Sequence, residues 1–187
     1  PGNHDSIHVM KTCSDRSLLA EKAIDLNNWR LLLLDSRVEN EVGGRLAEDE
    51  LQFLEHELST TDAEHVIISM HHHPTSVNSR WLDPHMVENG ERFFAIVDRF
   101  SSVRVVLFGH IHQQFECMRN AIRLMAAPST CCQFVSQLKE SPIDDKLPGY
   151  RWLRLSNNGE LDSGISRITD VQFKPDLSRG QSAASEG

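Results

Sequence analysis

The sequence is short of basic residues, with 19 Lys and Arg against 27 Asp and Glu and a formal net charge of −8. Proteins that bind nucleic acid over a broad surface need an excess of positive charge, so this composition argues against a nucleic acid partner. A small phosphate ester held locally by metal ions is not excluded. No apolar run approaches the ~18 residues that indicate a membrane span, which argues against a membrane partner.

Cysteine is also scarce, with four residues at positions 13, 117, 131 and 132. None forms a C-x-x-C pair, and Cys131 and Cys132 are adjacent, so neither a zinc cage nor a disulfide framework is indicated. We therefore expect reduced thiols in a cytoplasmic protein.

What is present is an ordinary globular composition, with 39% apolar and 25% charged residues in 187. This length predicts one domain, or most of one. We expect that domain to cover residues 1–174. The Ser-, Gly- and Ala-rich residues 175–187 are predicted to form a disordered tail.

The first two thirds of the chain alternate between strand and helix patterns. Continuous apolar runs at 29–34, 65–70 and 103–108 predict buried strands, and amphipathic patterns at 46–58 and 89–100 predict helices. This alternation is typical of an α/β fold. Short apolar runs at 115–118, 122–125, 132–135, 150–155 and 161–168 predict a separate meander that packs onto the α/β part.

Three polar segments stand at turns or strand ends: Gly2-Asn3-His4-Asp5, His71-His72-His73-Pro74 and Gly109-His110-Ile111-His112. His71 and His110 follow two predicted parallel strands, so both should reach one crevice at the carboxyl edge of the sheet. An extended backbone would point His110 and His112 the same way, toward two adjacent metals. Gly109 should let the backbone approach that site closely.

Each segment alone has an ordinary explanation. The first is compatible with a hydrogen-bonded turn, the second with a solvated loop or a fortuitous histidine tract, and the third with one buried and one surface histidine. Their combination, in this order and at these positions, indicates a metal site.

The motifs GNHD, HHHP and GHIH together resemble the calcineurin-like metallophosphoesterase superfamily. The longer stretches LLLDSRV, SRWLDPH, APSTCCQF and PGYRWLRL resemble, within it, the bacterial class III 3′,5′-cyclic AMP phosphodiesterases. This resemblance implies an α/β fold that is the C-terminal part of a four-layer α/β/β/α sandwich.

The resemblance also implies roles for the matching residues. Asn3, His71 and His110 would bind one divalent metal ion and His112 a second, with iron and manganese preferred and zinc as the alternative. His72 is the second choice to His71. His4 would contact the phosphoryl oxygen or protonate the leaving group. Asp5 caps the turn, orients His4 or takes a direct part in catalysis.

The implied activity is hydrolysis of 3′,5′-cyclic AMP to 5′-AMP by a water that the two ions activate. The substrate would be a small cyclic nucleotide, and a homodimer is compatible with the resemblance. Alternatives are another phosphodiesterase or phosphatase of the same fold, or a catalytically dead metal-binding module. In residues 76–85, Arg80 and Trp81 are candidates for phosphate and base contacts or for packing.

Two motifs of the superfamily, an Asp-x-His and a Gly-Asp followed by a further Asp, do not occur in these 187 residues. They supply most ligands of the first metal and the carboxylate that bridges both. We therefore expect an N-terminally truncated chain that is inactive by itself.

Overall fold

The structure, a computed structural model, describes residues 1–13, 21–135 and 143–169. Its main element is a six-stranded mixed sheet in the order β1-β2-β3-β4-β6-β5. These strands cover Ala23–Leu26, Trp29–Leu33, His65–Met70, Val103–Phe108, Phe115–Arg119 and Ile122–Ala126, numbered β1 to β6 in chain order. Strands β2, β3, β4 and β6 run parallel, while β1 and β5 are antiparallel edge strands.

Among the described residues, three α-helices accompany this sheet, α1 at Ile7–Cys13, α2 at Glu48–Thr60 and α3 at Gly90–Val97, and a short 3-10 helix covers Asp83–His85. Helix α2 buries a stripe of leucines and α3 buries two phenylalanines and a valine against one face of the sheet. Because α2 and α3 connect parallel strands, they lie where crossover helices are expected. The predicted α/β fold class is confirmed, and the two predicted helices shift by two residues or less at their starts.

The opposite face of the sheet carries a second apolar layer. Trp29, Ile67, Val105 and Met125 pack against leucines of a hairpin made by β9, Gly149–Leu155, and β10, Leu161–Arg167. A two-stranded pair, β7 at Gln133–Phe134 and β8 at Ile143–Asp144, lies between the sheet and the hairpin in the chain. The described residues thus form a helix layer, a sheet and a second sheet layer, in keeping with three layers of the predicted sandwich.

The prediction of one separate meander after residue 115 was wrong for its first two strands. Strand β6 pairs in parallel with β4, and β5 returns beside it, so both extend the main sheet. The hairpin turn at Asn120, whose φ is 52°, permits this tight return because asparagine tolerates the left-handed backbone. Strands β9 and β10 pack onto the sheet as predicted.

Strand β1 and helix α1 were not predicted. Within the part of the chain that the structure describes, no helix is long and apolar enough to cross a membrane. The predicted tail at 175–187 lies outside the described residues.

Candidate metal centre

The histidine segments follow directly from two neighbouring parallel strands. Strand β3 ends at Met70 and leads into His71, and β4 ends at Phe108 and leads through Gly109 into His110. The two segments are joined by a hydrogen bond of 2.9 Å from the Gly109 amide to the His71 carbonyl. The sheet therefore brings both segments to its carboxyl edge, as the sequence predicts.

Three candidate donors meet at the centre of this edge. Asn3 Oδ1 lies 2.9 Å from His71 Nε2, and His110 Nδ1 lies 3.2 Å from the same nitrogen. Two ligand atoms ~2.1 Å from one ion, at angles of about 90–110°, are roughly 3.0–3.4 Å apart. The spacing of the amide oxygen and the two imidazole nitrogens thus fits the edges of a coordination shell, so these residues suit a divalent ion.

His72 belongs to the same cluster, since the ligand atoms of His71, His72 and His110 all lie within 4.8 Å of one another. Both nitrogens of His72 are already occupied, however. Its Nε2 donates to the Val42 carbonyl at 3.1 Å, which leaves Nδ1 to accept from the Ser36 hydroxyl at 2.8 Å. The geometry therefore favours His71 over His72 as a donor, and the ligand role itself stays a prediction.

Burial keeps the clustered imidazoles neutral, so their lone pairs are available. Burial, reinforced by the neighbouring His72, lowers the pKa of His71 to about 4. Burial and the imidazoles of His72 and His71 lower the pKa of His110 to about 2. Metal ligation requires the neutral imidazole, so both side chains are prepared for a cation at neutral pH.

His112 lies outside this cluster but has a defined orientation. Its Nδ1 donates to the Cys132 carbonyl at 3.0 Å, which leaves the Nε2 lone pair for another partner. Its ring is stacked on Phe134 at 4.3 Å between centroids, with only 2° between the planes. A backbone carbonyl on the second ring nitrogen is the usual arrangement behind a metal-binding histidine.

The predicted extended backbone at His110 and His112 was wrong. Both residues adopt left-handed conformations, with φ of 53° and 50°. Ile111 between them is fully buried in the core. Residues other than glycine adopt this conformation uncommonly, and such strain occurs preferentially at functional sites.

The glycine that makes room for the centre is Gly2 rather than Gly109. A Cβ atom on Gly2 would lie 2.7 Å from His71 Cε1 and 2.8 Å from its Nδ1, closer than packing allows. A Cβ atom on Gly109 would lie 3.5 Å from His71 Nδ1, an ordinary contact. The expected role of Gly109 in close approach was therefore wrong, and it is Gly2 that has this role.

His4 is exposed at the rim of the centre. The pKa of His112 is lowered first by burial and, to a smaller extent, by the nearby His4. It is not one of the clustered donors. Asp5 caps the turn, because its Oδ2 accepts a 2.7 Å hydrogen bond from the Gly2 amide. Of the predicted options for Asp5, the structure shows the cap.

Among the described residues, the donor cluster contains histidines but no carboxylate. The nearby acids are engaged elsewhere: Asp5 caps its turn, and Asp35 forms an ion pair of 3.1 Å with Arg37. Two divalent ions close together need an anionic ligand to offset their repulsion. The described donors therefore suit one ion at Asn3, His71 and His110 better than a complete pair.

Sequence reasoning missed the residues that support the donors. These are Phe134 and Cys132 behind His112, and Ser36 and Val42 around His72. The stretch APSTCCQF, which was used only for the resemblance, contains the first two.

We expect acid to destabilise the metal-free protein through its buried histidines. Burial lowers the pKa of His71 and of His73 to about 4, against an ordinary value of 6.5. The unfolded chain therefore binds more protons between pH 6.5 and 4, so stability is fully present above pH 6.5 and falls as the pH falls toward 4.

Calorimetric Tm values between pH 7.5 and 5 measure this loss. His73→Phe should reduce the drop in Tm, because His73 is fully buried and none of its ring nitrogens has a hydrogen-bond partner. The control His56→Gln changes an exposed residue of α2 and should leave the drop unaltered. Equal pH dependence in all three proteins would contradict the assignment.

Comparison with known proteins adds a family match to this geometry. The profile of the Calcineurin-like phosphoesterase family matches residues 1–114. The chain is 40% identical over 175 residues to the 3′,5′-cyclic adenosine monophosphate phosphodiesterase CpdA of Pseudomonas aeruginosa, covering 94% of this chain and 64% of that protein. It is 35% identical over 189 residues to CpdA of Escherichia coli K12, covering 100% of this chain and 66% of that protein.

Solved structures agree at the level of the fold. GAP50, described as the anchor in the inner membrane complex of Plasmodium, superimposes with a TM-score of 0.56 at 15% identity, covering 83% of this chain and 52% of its own. A dimetal phosphatase from Danio rerio gives a TM-score of 0.50 at 16% identity, covering 77% of this chain and 56% of its own. The chain spans somewhat less than two thirds of the length of the curated relatives it matches.

Proposed function

Because this chain belongs to the calcineurin-like phosphoesterase family, we propose that it is part of a metal-dependent phosphodiesterase that hydrolyses 3′,5′-cyclic AMP to 5′-AMP. The observation that carries the proposal is the convergence of Asn3 and His110 on His71, each with a donor atom within hydrogen-bonding distance of His71 Nε2. The identity of the substrate is supported by the cyclic AMP phosphodiesterases to which the chain is similar.

The donor set defines what the residues contribute to metal binding. Asn3, His71 and His110 would hold one divalent ion, and His112 would contribute Nε2 to a second. Iron and manganese are the proposed ions and zinc the alternative, since imidazole nitrogen with amide oxygen suits all three. When bound, two such ions supply a nucleophilic water at neutral pH and neutralise charge on the phosphoryl oxygens.

The other residues orient the His112 ring or contact and protonate the substrate. Cys132 and Phe134 hold the His112 ring so that Nε2 faces away from the carbonyl that Nδ1 binds. His4, exposed at the rim, would bind a phosphoryl oxygen or donate its proton to the departing 3′ oxygen, a step typically worth 10²–10⁴-fold in rate. Neutral His71 and His110 cannot take this role, because burial holds each pKa far below 7.

The proposal includes a small-molecule partner and a cytoplasmic location. A net charge of −8 does not suit a nucleic acid substrate, whereas two metal ions would hold a single phosphodiester locally. The free thiols of Cys117, Cys131 and Cys132 suit a reducing compartment.

A substrate panel tests the function with the protein as its native gene encodes it, purified and loaded with Mn²⁺. We expect the highest kcat/KM for cyclic AMP, compared with cyclic GMP, an acyclic bis-ester and a phosphate monoester. A preference for the monoester would make the protein a phosphatase. Metal binding without turnover of any ester would make it a metal-binding module.

The 187 residues alone provide the matched comparison. We expect them to bind Mn²⁺ weakly and to give no turnover of cyclic AMP, because the described donor cluster lacks a carboxylate. Calorimetric titration with Mn²⁺ measures the first expectation. Turnover by this chain with cyclic AMP and Mn²⁺ would refute the second.

A further inference from the structure

The segment at residues 76–86 lies close to the Gly-His-Ile-His motif, near His110 directly and near His112 through Phe134. At one end, the His85 ring lies 6.4 Å from the His110 ring between centroids. In the middle of the segment, Trp81 contacts Phe134, the residue that is stacked on His112. The segment therefore passes along the rim of the candidate metal centre.

This segment is held in one conformation by its own polar contacts. Both carboxylate oxygens of Asp83 accept hydrogen bonds, from the Ser76 hydroxyl at 2.6 Å and from the Val77 amide at 2.9 Å. Leu82, directly after Trp81, is 2% exposed and packs in the core. These contacts fix the backbone on either side of Trp81.

Trp81 itself is 42% exposed despite this rigid setting. Its ring lies 4.6 Å from Phe134 at an angle of 86° between the planes, and Phe134 lies 4.3 Å from His112. One aromatic ring therefore separates the exposed indole from a proposed metal ligand. A large exposed aromatic ring on a fixed loop beside a phosphate site offers a stacking surface.

We propose that Trp81 is a specificity-determining residue that stacks against the nucleobase of the substrate while the phosphate lies at the metal centre. This inference rests on the proposed function and extends it from the phosphodiester to the base. Phe134 supports the platform from behind, and its parallel contact with His112 links base binding to the orientation of that ring.

The chemistry of stacking defines what this platform selects. Every base has a π-face, and stacking tolerates changes in base sequence. Trp81 therefore distinguishes cyclic nucleotides from phosphodiesters without a base, and it does not by itself distinguish adenine from guanine.

The test uses the protein as its native gene encodes it, with Trp81→Leu and the rescue variant Trp81→Phe. The substrates are cyclic AMP and the base-free ribose 3′,5′-cyclic phosphate. For Trp81→Leu we expect KM for cyclic AMP to rise roughly tenfold with kcat nearly unchanged, and KM for the base-free compound to stay the same. Trp81→Phe should recover most of the affinity.

The matched control is Trp152→Leu, which removes a tryptophan of similar exposure, 38%, from β9. It should leave both substrates unaffected. If Trp81→Leu raises KM or lowers kcat for both substrates alike, Trp81 acts only through Phe134 and His112, and the inference is wrong. Unchanged kinetics with cyclic AMP would overturn it as well.

A binding measurement separates this inference from the proposed function. Tryptophan fluorescence should be quenched by 5′-AMP but not by ribose 5-phosphate, and the quenching should disappear in Trp81→Leu and persist in Trp152→Leu. If cyclic AMP is not hydrolysed but this pattern appears, stacking on Trp81 is supported and the proposed activity is refuted. Absence of quenching by 5′-AMP refutes the platform, whatever the activity.

Discussion

Replacing His4 with alanine is expected to lower kcat for cyclic AMP hydrolysis by about 10²–10⁴-fold while the bound metal remains, because the proposed proton donor is lost. His4 is not among the clustered donors, and it lies exposed at the rim beside His112. Steady-state kinetics together with metal analysis of the same samples measure both effects. The protein is again the one its native gene encodes.

The matched control is His8→Ala, which removes an exposed histidine of α1 four residues away. It should retain full activity. A substrate whose leaving group needs no proton, such as p-nitrophenolate, distinguishes proton donation from simple phosphate contact. If His4 donates a proton, the loss of kcat in His4→Ala should be smaller with this substrate than with cyclic AMP. Loss of metal together with activity would instead make His4 a ligand, and an active His4→Ala would remove it from the mechanism.

The second large effect is expected from Gly2→Ala. The added methyl group would lie 2.7 Å from the His71 ring, so the ring must leave its place beside Asn3. Displacing a group that orients a ligand typically weakens metal binding 10–100-fold. Titration with Mn²⁺ measures the affinity, and a thermal melt verifies that the variant is folded.

Gly109→Ala is the control, because it adds the same methyl group near the same ring at an ordinary distance of 3.5 Å. The φ of Gly109 also lies outside the left-handed region, so alanine is not strained there. We expect nearly unchanged Mn²⁺ affinity. If the two variants weaken binding equally, contact with His71 is not the reason for glycine at position 2.

Strands β2, β3 and β4 could be predicted from the sequence because each is covered on both faces, which produces a continuous apolar run. Strand β1 could not, since Ala23–Leu26 is a short, half-exposed edge strand without such a run. The pairing of β6 with β4 could not be predicted from the sequence either. It joins segments that both look like ordinary buried strands, and nothing local selects the partner.

In the site, the convergence of His71 and His110 follows from strand direction, so it could be predicted without coordinates. The occupation of both His72 nitrogens could not, because it depends on Ser36 and Val42 in a distant loop. The left-handed backbone at His110 and His112 was missed for a related reason. A residue other than glycine keeps that conformation only where the surrounding structure requires it, and that structure is not visible in the local sequence.

The left-handed backbone at these two histidines has a consequence for engineering. Glycine or asparagine would relieve the strain at positions 110 and 112, so selection for thermal resistance alone would favour replacing the very side chains proposed to hold the ions. A library screened only for heat tolerance would therefore enrich variants that are more thermostable but catalytically inactive. Screens of this fold should keep both positions fixed and seek stabilising substitutions in α2 and α3, which pack on one face of the sheet.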